Sequence, residues 1–253
     1  MTETANPEGS GMRSRTSRRS FLAGSAAALA GGALMAVPGM AKAHTTPEPP
    51  WDIDVLNYAL TLEHLEYAFY RDGLAKFGEG ELENAKVFDG LGSYLRRSVH
   101  ENFVRIRNHE YTHVETLRSV IRDLGGKPVP EARYNFRTTA FTSVAKFVSV
   151  AQFLENTGVK AYDGAIAHIE AAPLLTAGAT IATVEARHAS YLNLLNRDVP
   201  FPSAFDKPAA PRAICNAVQA ENGGFIVSAP RPYGPYASLD ALCRRLPNTV
   251  TPS

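Results

Sequence analysis

The chain is poor in cysteine and tryptophan and carries almost no net charge: two Cys, one Trp and a formal charge of +1 in 253 residues. Its Lys and Arg are scattered, which excludes the basic stripe by which a protein holds nucleic acid. Cys215 and Cys243 have no neighbouring histidine and no C-x-x-C spacing, so they read as a candidate disulfide and not as metal ligands or nucleophiles. Long apolar runs are also missing. The stretch from Phe21 to Val37 is about the minimum length for a membrane span and is diluted by Gly and Ala. Alternating β-branched runs are few, which argues against a sheet-based fold. What is present is 45% apolar residues, enough for a real core.

The N-terminal stretch TSRRSFLAGSAAALAGGALMAVPGMAKA pairs Arg18 with Arg19, follows them with Phe21 and Leu22, and ends in A-K-A at Ala43. It looks like a twin-arginine export signal over residues 1–43, cut before His44. The expected mature chain is periplasmic or extracellular and keeps no stable membrane span. The twin-arginine system carries folded proteins, so a metal site could be filled before export.

From Asp52 onward the apolar period is close to 3.6. Four helical segments are expected: residues 52–74, ended by Gly73 and the Gly78/Gly80 region; Tyr94 to Leu124, ended by Gly125-Gly126; Thr142 to Glu170; and Pro173 to Arg197. The connection GGKPVPEARYNFRTTAF between the second and third is too long for a tight hairpin. At about 3.3 Å per extended residue against about 1.5 Å per helical residue, it can run the length of a helix and leave its neighbours parallel. The expectation is an all-α, ferritin-like four-helix bundle over residues 44–200 with one long crossover between helices 2 and 3. Residues 201–253, rich in Pro, Gly and Ala, form an irregular C-terminal extension with short helices near 213–220 and 239–245.

Each of the four helices places a carboxylate in its apolar stripe. At about 100° per residue, Leu56, Ala59, Leu60, Tyr67 and Tyr70 surround Glu63, and Val148, Ala151, Val159, Tyr162 and Ile166 surround Glu155. Glu110 is flanked by Phe103, Ile106, Val114 and Leu117, with His113 three residues on. Glu185 is flanked by Ile181, Ala182, Ala189 and Leu192, with His188 three residues on. An ionised carboxylate in an apolar core costs several kcal/mol even after relaxation. Four of them require cations. Two divalent ions balance four carboxylates, with two neutral imidazoles completing the ligand set. Glu from two helices and E-x-x-H from the other two is the pattern of carboxylate-bridged dimetal bundles. Tyr70 and Tyr162 each follow a glutamate by seven residues, close to two turns, where their hydroxyls can support Glu63 and Glu155. The order E-x6-Y then E-x-x-H occurs twice.

Competing patterns are weaker. HEYTH, residues 109–113, matches the H-E-x-x-H motif of zinc hydrolases, with His109 and His113 as ligands and Glu110 as general base. Thr116 and Ser119 stand where the extended motif has Gly and His, and Glu131, at the distance of a third ligand, sits in a Pro-flanked loop. The second copy, VEARH, lacks the leading histidine. His109 therefore reads as an accidental letter, about 100° from the stripe. Glu66 is expected at the stripe boundary, not as a ligand. His64, His100 and His168 are expected on the surface.

The segments DIDVLNYALTLEHLEYAFYRDGL, HEYTHVETL, FLENTGVKAYDGAI and TVEARHASYL together resemble the exported ferritin-like domain family that includes plant desiccation-related proteins. The resemblance covers about Trp51 to Pro202 and implies the four-helix fold. Glu63, Glu110, His113, Glu155, Glu185 and His188 match the ligand positions of its dimetal members. It supplies no substrate. The expected cofactor is two Fe or Mn ions, with Glu110 and Glu185 bridging, His113 and His188 capping, and Glu63 and Glu155 terminal. Redox chemistry with oxygen or peroxide, or iron oxidation, is the expected activity. The alternatives are a stress-related structural or binding protein without catalysis and, less favoured, the zinc hydrolase. Metal ions are the expected partners, and a homodimer is compatible with the sequence.

Overall fold

The computed structural model describes residues 50–251. The export-signal segment lies outside the described residues. Helix α1 spans Pro50–Lys76, α2 Ser93–Asp123, α3 Val144–Ile166 and α4 Ala172–Leu195. A five-residue helical turn, Glu79–Glu83, precedes α2. The helix ends carry recognisable signals. The Ser143 hydroxyl accepts from the Lys146 amide at 3.1 Å, capping α3. Gly125, at φ +78°, turns the chain out of α2, a left-handed step that costs glycine nothing. The Asp52 carboxylate, in the first turn of α1, accepts from the amides of Glu170 and Ala171 at 2.9 and 3.0 Å, so the start of α1 anchors the start of α4.

Residue pairs across the core set the helix directions. Glu63 meets His113 while Tyr70 meets Phe103, so α1 and α2 are antiparallel. Tyr70 meets Glu155 while Glu63 meets Tyr162, so α1 and α3 are antiparallel. Helices α2 and α3 are therefore parallel, and the connection between them is the long crossover. It is not wholly irregular. A short strand within it, β1 (Arg133–Tyr134), pairs antiparallel with β2 (Ile226–Ser228) of the C-terminal extension. Two- and three-residue strands carry no readable alternation, which is why the sequence did not announce them.

One end of the bundle is aromatic. Phe69 stacks on Phe147 at 5.0 Å, and Phe77, Phe103, Phe136 and Phe141 close around the pair. Burying each such ring contributes about 1.5–3 kcal/mol. Gly73 belongs to this packing and does not end α1; of the two expected stops, the Gly78/Gly80 region is the one that follows the helix end. A Cβ at Gly73 would stand 2.2 Å from the Phe147 ring, so the glycine is a point of close approach and the helix continues to Lys76.

The extension folds back over the bundle through α5 (Pro211–Ala217) and α6 (Leu239–Arg245), which the Cys215–Cys243 disulfide joins. The Ala209 amide donates to the Lys160 carbonyl of α3 at 3.0 Å. Tyr236 and Arg245 both donate to Asp54 of α1, at 2.6 and 2.8 Å, and the Tyr233 hydroxyl donates to Thr61 at 3.1 Å. His168 is also part of this attachment: it is buried, with Nε2 2.9 Å from the Thr249 carbonyl, not on the surface as expected. Among the described residues no helix is long and apolar enough to cross a membrane.

Candidate metal centre

The i, i+3 spacing of Glu110 and His113 on α2, and of Glu185 and His188 on α4, puts each pair on one helix face. The bundle turns both faces toward Glu63 on α1 and Glu155 on α3. All four glutamates are fully buried, and His113 and His188 are buried beside them. His113 Nδ1 lies 3.2 Å from Glu63 Oε2, 3.1 Å from Glu110 Oε2 and 3.1 Å from Glu185 Oε1. His188 Nδ1 lies 3.0 Å from Glu110 Oε1, 3.2 Å from Glu155 Oε2 and 3.7 Å from Glu185 Oε2. Glu110 and Glu185 thus each divide their two oxygens between the two imidazoles. Two ligand clusters result, Glu63, Glu110, His113, Glu185 and Glu110, Glu155, Glu185, His188, each with its ligand atoms within 4.8 Å of one another. The clusters share the two dividing carboxylates, as a bridged pair of ions requires.

The tyrosines complete the pattern. Tyr70 donates to Glu155 Oε1 at 2.5 Å, and Tyr162 donates to Glu63 Oε1. Each hydroxyl holds one oxygen of its glutamate and leaves the other facing an imidazole nitrogen. This fixes the carboxylate orientation, as outer hydrogen bonds do for metal ligands.

Such a concentration of acid is costly unless neutralised. Burial pushes the Glu63 carboxyl up to about 8, against the pull of His113. Burial likewise raises Glu155 well above the carboxylate range, against the pull of His188. For Glu185, burial acts upward but the two imidazoles outweigh it and hold the group below its usual range. Burial acts downward on His113 and His188, yet the surrounding carboxylates raise both. Glu185 apart, the shifts of these groups all run toward the protonated form. Neither oxygen of Glu185, nor Glu110 Oε1, has a hydrogen bond of acceptable geometry, although all three are buried. Oxygens grouped around common points, with imidazole nitrogens aimed at the same points and no thiolate among them, fit hard to borderline cations such as iron and manganese.

Two sequence expectations fail here. Glu66 is not a boundary residue: it is 3% exposed and sits among the other carboxylates. At about 100° per residue it lies about 60° from Glu63, at the edge of its own helix stripe, but other helices close over this point and the edge of α1 is interior. The signal that could have found it is Gly158, which stands opposite on α3 where the repeat places the counterpart of Glu66. His109, exposed and in neither ligand cluster, is no ligand, as expected, but it touches one of the cluster's histidines. Its Nδ1 lies 2.9 Å from Nε2 of His188, with the rings stacked 5.2 Å apart. It meets the nitrogen of His188 that faces away from the carboxylates. The proposed third zinc ligand, Glu131, instead pairs with Arg71 at 3.0 Å. His64, expected on the surface, is buried, and burial lowers it to about 4.

A four-helix bundle with one long crossover and a core of glutamates and histidines able to hold metal defines a protein of the ferritin-like class. The comparison with known families agrees. The ferritin-like domain family matches residues 51–197, and the chain belongs to that family. A curated relative is Protein rds1 of Schizosaccharomyces pombe (strain 972), 26% identical over 163 residues, which are 63% of this chain and 36% of that protein. The chain thus matches little more than a third of that relative's length.

Proposed function

We propose that the protein holds two iron or manganese ions in its bundle and uses them for redox chemistry with oxygen or peroxide, including iron oxidation. The observation that carries this reading is the division of Glu110 and Glu185 between the two imidazoles, because a carboxylate shared by two ligand clusters has a purpose only when both are filled. When bound, such ions supply one-electron steps and a place for a small oxidant to coordinate. Glu63 and His113 complete one position, and Glu155 and His188 the other. Tyr70 and Tyr162 hold the terminal carboxylates in orientation. Their hydroxyls are kept protonated by burial and by the adjacent glutamates, so both remain donors. The aromatic layer beside Tyr70 excludes water from that end.

Metal analysis of protein purified from its own compartment tests this reading. Two iron or manganese per chain is the expected result, and a single tightly held zinc overturns it. If two ions are present and their removal leaves the biological effect of the protein intact, the structural reading replaces the catalytic one.

Export by the twin-arginine route belongs to the same proposal. The Cys215–Cys243 bond supports it, since disulfides persist outside reducing compartments. Replacing Arg18 and Arg19 by lysine should leave the chain in the cytoplasm at its uncut mass; unchanged export removes that part of the reading.

A further inference from the structure

At the end of the bundle away from the aromatic layer, the interior is apolar and incompletely filled. Val55, Ala59 and Leu62 step along one face of α1 at helical spacing, and with Ala161 of α3 and Ile181 of α4 they line a cavity of about 50 Å³. Native interiors leave few such gaps. This one ends against the metal ligands. Leu117, also in its wall, follows His113 by one turn, Ile181 precedes Glu185 by one turn, and Tyr162 holds Glu63, so roughly 5.4 Å of helix separates the cavity from the ligand side chains. Helices α1 and α2 pack closely, as do α3 and α4, whereas α2 and α4 barely touch. The wall residues on that seam, Thr116 of α2 and Ala177 and Gly178 of α4, are small and half-buried, which makes the seam the way in.

Few polar side-chain atoms belong to the wall. The Tyr162 hydroxyl is committed to Glu63, the Tyr58 hydroxyl is buried without a partner, and the Thr116 hydroxyl stands at the mouth. Hydrogen peroxide carries hydroxyl donors and lone pairs at both ends, and one free hydroxyl cannot replace the water it would leave behind. Dioxygen has no donor and no charge, so it enters such a space at little cost. Size points the same way: an apolar cavity of about 150 Å³ takes benzene or xenon, so one of about 50 Å³ has room for a diatomic molecule and not for an aromatic ring. Building on the dimetal reading, we propose that this cavity is a binding site for dioxygen, entered through the seam between Thr116 and Gly178, and that it makes dioxygen, not hydrogen peroxide, the oxidant of the site. Each dioxygen takes one electron from each of two ferrous ions and two protons from solvent, and leaves as hydrogen peroxide.

The test uses the full chain and two variants that plug the mouth, Gly178→Leu and Ala177→Leu. A Cβ at Gly178 meets nothing within 4 Å, so a side chain there needs no backbone shift. Crystals of the metal-free parent are pressurised with xenon. Parent and variants loaded anaerobically with ferrous iron are then mixed in stopped flow with dioxygen or with hydrogen peroxide. The expected results are a xenon atom among Leu62, Leu117 and Ile181, and oxidation by dioxygen slowed at least about tenfold in both variants while oxidation by peroxide changes less than about twofold. No xenon at that place overturns the cavity as a binding site. An unchanged dioxygen rate in both variants, or equal slowing with both oxidants, overturns the oxidant assignment. If the leucine variants fail to fold, the parent decides: a peroxide rate at or above the dioxygen rate at equal concentration overturns the assignment. A parent that binds fewer than two ions overturns the dimetal reading and the oxidant assignment with it, and xenon bound in that case still shows a site for small apolar molecules.

Discussion

Removing the metal should make the stability of the bundle depend on pH in a direction opposite to ordinary acid denaturation. Burial raises Glu63 from 4.5 to about 8, so between those values the folded chain holds a proton that the unfolded chain has released. Stability then falls as pH rises through that window. His113 and His188 act in the same sense above pH 6.5, because the folded state keeps their protons longer than the unfolded state does. Glu185 acts in the opposite sense, but only below its unfolded value of 4.5. At about 1.4 kcal/mol per unit, Glu63 alone accounts for a loss on the order of 4 kcal/mol between pH 5 and 8. For a domain of about 200 residues that corresponds to a fall of roughly 8–16 °C in Tm. Bound metal reverses the trend, since it takes the deprotonated ligands. Two ions, each at about a thousand times its Kd, add about 4 kcal/mol apiece. Calorimetry of chelator-treated and manganese-loaded protein at pH 5, 6.5 and 8 makes the comparison. A metal-free Tm that is flat or rises from pH 5 to 8, together with no gain on adding metal at pH 8, would refute the reasoning.

Four further outcomes are expected. Glu155→Ala should lose the ion on the His188 side and Glu185→Ala both ions, read as bound metal per chain; two ions retained in Glu185→Ala would show that it does not bridge. His109→Ala should keep two ions but weaken binding by about 10–100-fold through the loss of support to His188, measured by chelator competition. Complete loss of metal in that variant would favour the zinc-site reading instead. Gly164→Ala should destabilise the fold by about 2 kcal/mol or more, measured by urea denaturation, because its Cβ would fall 1.8 Å from the Ala209 carbonyl oxygen, where backbone must move. Reducing Cys215–Cys243, which are 28 residues apart, should cost about 3–4 kcal/mol of stability on the loop-closure account. Metal content should not change with that reduction if the extension only clamps the bundle.

The helices and the six residues that group in the buried carboxylate–histidine cluster were legible in the sequence for one reason: a helix repeats every 3.6 residues, so an acid inside an apolar stripe is visible from composition along a single element. Glu63, Glu110, Glu155 and Glu185 each met that condition, and the Tyr at +7 and His at +3 followed from the same period. Glu66 and His109 did not meet it. Each lies off the centre of its own stripe, and only the approach of other helices decides that Glu66 is interior and that the exposed His109 meets His188. Gly73 shows the same limit. In one dimension a glycine near a helix end reads as a stop, whereas the Phe147 ring packed on it shows a contact.

The four-helix architecture, its one long crossover and the six residues of the buried carboxylate–histidine cluster followed from the sequence alone, because these depend on local period and on the cost of burying charge. The tertiary structure decided which oxygens are shared, that Tyr70 and Tyr162 cross to the opposite half, that His109 backs His188, and that Gly158 opens space for a fifth carboxylate. Those facts depend on which residues distant in sequence come within about 3–4 Å, and a single chain's periodicity carries no information about distances between helices.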